Sequence, residues 1–218
     1  MKIVPAILAD NREDFFMRLR QAESFANYVQ IDVMDGSFVP SRSFSAETLN
    51  NTTTSLDFEV HLMVIDPYVL MENVHNRRLK KVIFHFESRV KHFDFIDQMK
   101  ERGIAAGLAI KPETKTREFR EVAEKVDTLL FLTVDPGRYG SSFKPEVLGK
   151  IEEARHIFRD KTIAVDGGVS LANLKSFVKL GVDYVCIGSR IFLTGNPEEN
   201  YRAFLGALAQ MKSHGVRT

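Results

Sequence analysis

The chain has 218 residues, 44% of them hydrophobic and 27% charged, the balance of a folded protein with one substantial core. Thirty Lys and Arg stand against 29 Asp and Glu, a formal charge of +1, so no basic excess points to nucleic acid or an anionic membrane as partner. The one cysteine, Cys186, excludes an intramolecular disulfide and fits a reducing compartment. No long apolar stretch of the signal-peptide kind follows Met1-Lys2-Ile3-Val4-Pro5, and the longest nearly apolar run, residues 103–110, is too short to span a bilayer. A cytoplasmic protein is expected.

In chain order, β-branched runs alternate with amphipathic stretches. Strands are predicted at residues 3–8, 28–34, 57–63, 81–86, 105–110, 128–133, 162–166 and 184–187. Helices are predicted at 11–25, 45–52, 67–74, 90–102, 116–123, 145–158, 173–180 and 197–212. Asp66-Pro67 and Asn196-Pro197 each place a capping side chain before a proline suited to a first helical turn. Eight strand–helix pairs with no Pro/Gly/Ser-rich linker between them imply a parallel sheet closed into a single (β/α)8 TIM barrel over residues 1–218. A doubly wound open sheet is the rival, but Ala9-Asp10-Asn11 after the first strand is not the Gly-rich turn such a sheet uses.

In a (β/α)8 barrel, chemistry sits at the C-terminal strand ends, and here those ends carry Asp32, Asp35, His61, His85, Glu87, Lys111, Thr133, Asp135, Asp166 and Ser189. Strand alternation places Gln30, Asp32 and Met34 on one face and aliphatic Val29, Ile31 and Val33 on the other. His61 and Met63 share a face in the same way, as do Ala164 and Asp166. Two carboxylates and an imidazole therefore converge from strands two, three and seven. Singly, a strand-end Asp is more often a cap, and His61 is as readily a satisfied interior histidine. Together they point to a site, because burying several titratable groups side by side is costly without a task. Met34 and Met63 form either plain core or the floor of that site. Lys111 reads as a solvated loop charge, Cys186 as a small buried hydrophobe, and His75, His92, His156 and His214 as surface residues. His85 and Glu87 either line the site wall or pair with neighbours.

Glycines end three successive strands: Asp135-Pro136-Gly137-Arg138-Tyr139-Gly140-Ser141-Ser142 after strand six, Asp166-Gly167-Gly168 after strand seven and Gly188-Ser189 after strand eight. Glycine lets backbone N–H groups approach an anion, and the loops after strands seven and eight are the usual phosphate site of this fold. A phosphate-bearing substrate is expected there.

At these same positions the chain resembles the ribulose-phosphate 3-epimerases over nearly its full length. The matching segments are Pro5-Ala6-Ile7-Leu8, Ile31-Asp32-Val33-Met34-Asp35-Gly36 with Phe38-Val39-Pro40, Val60-His61-Leu62-Met63-Val64, Leu108-Ala109-Ile110-Lys111-Pro112, Thr133-Val134-Asp135-Pro136-Gly137, Val165-Asp166-Gly167-Gly168-Val169 and Gly188-Ser189. The resemblance implies interconversion of D-ribulose 5-phosphate and D-xylulose 5-phosphate, with Asp32 and Asp166 as the acid–base pair on opposite sides of C3. It also implies a divalent metal (zinc, iron, manganese or similar) on Asp32, His61, Asp166 and a fourth position, and a homo-oligomer.

That fourth position is histidine in the family and Gln30 here. Glutamine offers only a neutral amide oxygen, so the expected metal site is weakened or lost. Ala6 replaces a serine of the family's Pro-Ser-Ile-Leu motif, and Arg138-Tyr139 stand in a loop that usually reads Gly-Phe-Gly-Gly. Three functions follow: a ketose-phosphate 3-epimerase, an epimerase or isomerase of another phosphorylated sugar, or a non-catalytic phosphosugar-binding paralogue. Decarboxylase and aldolase relatives of the barrel are disfavoured, because Asp32-Val33-Met34-Asp35 lacks the lysine of their Asp-x-Lys-x-x-Asp motif.

Overall fold

Eight parallel strands close on themselves in the computed structural model, which describes residues 1–137 and 140–213. They are β1 Lys2–Leu8, β2 Tyr28–Met34, β3 Asp57–Met63, β4 Leu79–His85, β5 Ala105–Ile110, β6 Thr128–Leu132, β7 Thr162–Asp166 and β8 Tyr184–Ile187. Each pairs with its sequence neighbours, and β1 returns to β8 through Ile3↔Val185 and Val4↔Cys186. Between them run α1 Arg12–Glu23, α2 Ala46–Asn50, α3 Pro67–Met71, α4 His92–Glu101, α5 Thr116–Ala123, α6 Val147–Ile157 and α7 Leu174–Lys179, and the chain continues into α8 Ser189–Phe192 and α9 Pro197–Ser213. The fold is a (β/α)8 barrel.

Alternation within the strands builds two separate interiors. Val29, Ile31, Val33, Val60, Leu62, Val82 and Phe84 point outward into the large core shared with the helices, all at most 1% exposed. Burial of one such side chain contributes about 1.5–3 kcal/mol, so this face fixes the register: a slip of one residue would turn every apolar side chain toward the axis. The inward face carries a smaller apolar cluster from Val4, Ala6, Ile83, Ala109, Leu130 and Ala164. It also carries polar groups that the interior of such a barrel seldom holds: Gln30, Glu59 and His85 are 0% exposed.

The expected caps form. Asp66 accepts from Tyr68 N–H at 2.9 Å ahead of Pro67, and Asn196 accepts from Glu198 N–H at 2.9 Å ahead of α9. Several bounds differ from those expected: β4 runs Leu79–His85 rather than 81–86, and α2 and α3 end at Asn50 and Met71 rather than at 52 and 74. β6 ends at Leu132, one residue short of the expected 133, although Thr133 N–H still donates across to the Asp166 carbonyl at 2.9 Å. Helix α8 was not expected, since four residues are too few to show a helical period. No helix among the described residues is long and apolar enough to cross a membrane.

Candidate active site

Strand register brings the polar ends together. Asp32 lies beside His61 in the β2–β3 ladder, and Asp166 beside Cys186 in the β7–β8 ladder. Across the axis these groups touch. His61 Nδ1 is 2.9 Å from Asp32 Oδ1 and 3.4 Å from Asp166 Oδ2. Gln30 Nε2 donates to Asp32 Oδ1 and to Asp166 Oδ2, at 3.0 Å each. One amide and one imidazole thus bridge two carboxylates that would otherwise repel.

Burial raises the proton affinity of Asp32, and the neighbouring Asp166 charge adds to it, while His61 and Gln30 oppose. Burial alone would lower the His61 pKa, but its hydrogen bonds to Asp166 and Asp32 outweigh this and lift it to about 9. That favours the charged ring, and its Nε2 lies 3.0 Å from His85 Nε2. His85 is the complement: burial brings its pKa down to about 4, so the neutral ring accepts from His61. Its Nδ1 proton then faces Glu87 Oε2 at 3.2 Å. Burial would raise the Glu87 carboxyl, yet its bond to His85, with Thr114 and the Lys111 N–H, pulls it down to about 2. His85 and Glu87 thus pair with neighbours, behind His61.

A cavity of about 480 Å³ opens over the carboxylates and runs toward β8, within the range of small-ligand sites. Asp32, His61, Asp166 and Met63 line one end; Gly167, Gly168, Gly188 and Ser189 line the other, with Gly137 and Gly140 at the β6 loop. Met34 packs beside Met63 with Leu8 and Val39, all buried, and so supports the floor. Gly167 has φ +92°, and a Cβ there would lie 2.3 Å from Val134 Cγ2; only glycine lets this backbone pass. Arg138 and Tyr139, expected beside the phosphate, lie outside the described residues, as does His214. Arg190 and Asn173 also line the cavity, and sequence reading did not single them out as ligand contacts. The Gly188-Ser189-Arg190 run at the end of β8 was the available signal for the first. Asn173 looked like a helix start, but it clamps the β7 loop through Gly168 O and Ser170 N–H, at 2.9 and 2.8 Å.

Three other readings change. Lys111 is not a freely solvated charge: its Nζ sits 3.9 Å from the Phe38 ring centroid. Cys186 is buried as expected, but not as a mere hydrophobe, because its Sγ donates to Gln30 Oε1 at 3.1 Å. Burial, then the charges of Glu59, Asp166 and Asp32, raise its thiol pKa and keep that proton in place. His92 is half-buried, with Nε2 2.7 Å from the Phe86 carbonyl, whereas His75 and His156 are exposed.

Asp32, His61 and Asp166 can hold a metal ion: one ligand atom from each lies within 4.8 Å of the others. Two carboxylates and one imidazole suit a borderline or hard divalent cation with open positions. Gln30, expected as a weak fourth ligand, presents its NH2 to the carboxylates, and an amide nitrogen with both protons so committed is a donor.

The sequence profile described as the ribulose-phosphate 3 epimerase family matches residues 2–192. The chain belongs to that family. Among curated relatives, the ribulose-phosphate 3-epimerase of Schizosaccharomyces pombe is 31% identical over 204 residues, covering 91% of this chain and 90% of its own. That of Treponema pallidum is 33% identical over 173 residues, covering 77% and 79%. The 3-hexulose-6-phosphate synthase of Salmonella typhimurium superposes with a TM-score of 0.67 at 16% identity, over 96% of this chain and 99% of that one, which speaks for the barrel alone. The family is one of isomerase-class enzymes, and family membership implies a phosphorylated sugar as substrate.

Proposed function

We propose that this chain interconverts D-ribulose 5-phosphate and D-xylulose 5-phosphate by two-aspartate proton transfer at C3. The observation that carries the reading is the pairing of Asp32 and Asp166 across one cavity, both held by the Gln30 amide at 3.0 Å. Inversion at one carbon needs a base on one face and an acid on the other, each within hydrogen-bonding reach. One aspartate takes the C3 proton; the other returns a proton to the opposite face, and the roles exchange in the reverse direction. The raised proton affinity of Asp32 brings both of its protonation states within reach near neutral pH. The His61 imidazolium and the two Gln30 N–H groups stabilise the carboxylate form of whichever aspartate has lost its proton.

At the far end of the cavity, the backbone N–H groups of Gly167, Gly168, Gly188 and Ser189 form the place for the phosphate. Met63, backed by Met34, supplies the apolar floor beneath the sugar carbons. Asp32, Asp166 and His61, the last only after its ring has given up a proton, are the residues that would hold a divalent cation, which when bound would polarise the substrate carbonyl as a Lewis acid. The reading includes one domain over residues 1–218, a homo-oligomer and a cytoplasmic location.

Proton NMR of the purified protein with D-ribulose 5-phosphate in D2O, divalent metal supplied, tests the reading. Deuterium entering at C3 as xylulose 5-phosphate appears supports it. No exchange by a folded protein sinks it in favour of a different phosphorylated sugar, a reading favoured by Ala6, which lines the cavity without a side-chain polar group.

A further inference from the structure

A glutamine amide has two near-isosteric orientations related by a half-turn, and only its partners choose between them. At Gln30 the upper side is acceptors: Asp32 Oδ1 and Asp166 Oδ2, each 3.0 Å from Nε2. The lower side is the Cys186 thiol, 3.1 Å from Oε1. That thiol has one proton and two acceptors in view, the second being Glu59 Oε1 at 3.9 Å. Glu59 is already satisfied. It accepts from the Tyr28 and Tyr184 hydroxyls at 3.1 Å and pairs with Lys81 Nζ at 3.2 Å. The thiol proton therefore goes to the nearer Gln30 oxygen, from a side chain that is 1% exposed.

We propose that Cys186 is a positioning residue for the proton-transfer pair, its S–H bond to Gln30 Oε1 fixing the amide with one N–H on Asp32 and the other on Asp166. Turning the amide over would set its oxygen against two carboxylate oxygens and its NH2 against an S–H, so the thiol below and the carboxylates above select one orientation together. The two aspartates are thereby tied to one rigid planar group, which fixes their separation. The catalytic consequence rests on the epimerase reading above; the orientation of Gln30 does not.

The test uses full-length protein labelled with 15N-glutamine, substrate-free, with the Gln30 NH2 resonances assigned by their loss in Gln30→Glu. In wild type both amide protons should be shifted downfield and protected from exchange. In Cys186→Ala the pair should move upfield or broaden, and the turnover number for C3 proton exchange should fall about tenfold with KM little changed, the size typical of losing a supporting hydrogen bond. Cys186→Ser, whose hydroxyl reaches the same oxygen, should restore both readouts; Cys186→Val, which fills the space without a donor, should restore neither and serves if the alanine variant folds poorly. An unmoved Gln30 pair in Cys186→Ala, or serine no better than valine, would overturn the proposal. A wild type inactive on ribulose 5-phosphate whose Gln30 resonances still follow this pattern would refute the substrate reading and support the positioning role.

Discussion

Asp32 and Asp166 share a single amide and a single imidazole, so removing one charge changes chemistry more than fold. Asp32→Asn or Asp166→Asn should abolish C3 proton exchange while phosphate-ligand binding persists; full activity in either would remove the two-carboxylate mechanism. Gln30→His replaces a committed donor by an imidazole, a good ligand for zinc or iron. The variant should bind divalent metal at least about tenfold more tightly, measured by titration calorimetry. Unchanged affinity would mean that an imidazole at position 30 does not complete the metal-binding group. Legibility at this scale was uneven. Asp32, His61 and Asp166 stood out because titratable residues at strand ends are conspicuous in a β-rich pattern. The state of Gln30 was hidden: a sequence shows that an amide is present, but which of its ends faces a carboxylate depends on Cys186, 156 positions away in the chain.

Loops that carry the site are tied to strand ends by single side chains. Asp35, just past β2, accepts from Ile65 N–H at 2.6 Å and from Ser37 and Phe38 N–H at 2.8 Å each, which binds the β2 loop to the end of β3. Burial would raise its carboxyl pKa, but these backbone bonds outweigh it and hold the pKa below the ordinary value. A folded pKa below the unfolded one stabilises the fold above the unfolded pKa, and this contribution fades as pH falls through the folded value. Wild type should accordingly be more stable than Asp35→Asn at about pH 6, with the gap closing toward about pH 3; urea unfolding at both ends would show it, and a gap independent of pH would refute it. Gly167→Ala forces a side chain into a left-handed backbone against Val134, and should cost about 1–3 kcal/mol in the same assay. At this scale strands and caps were readable from period and capping residues. The short α8 was not, because its four residues carry no period and form where β8 ends at the cavity wall.

Through the whole barrel runs a polar column: Tyr28, Lys81 and Tyr184 around Glu59 near the N-terminal end, Cys186 and Gln30 above it, then Asp32, His61, Asp166 and His85. Glu59, at 0% exposure, is held by Lys81, itself 16% exposed, and by two tyrosine hydroxyls, which replace the hydration its carboxyl gives up on burial. Lys81→Met should therefore destabilise the fold by about 3–5 kcal/mol, since it removes one partner of a buried pair; a loss below about 1 kcal/mol would show that the column does not depend on this pair. Local chemistry, readable in order along the chain, determined the eightfold alternation of strand and helix, the barrel it implies and the residue types at the strand ends, because period, capping and turn chemistry act between near neighbours. Closure of the sheet decided what those residues do. It set Gln30 between two aspartates, turned it by a thiol from the last strand, and paired His61 with His85, contacts across 24 to 156 positions of sequence that no local pattern encodes. Hydrogen-bond direction and proton affinity depend on who stands opposite across the axis, and only the closed barrel fixes that.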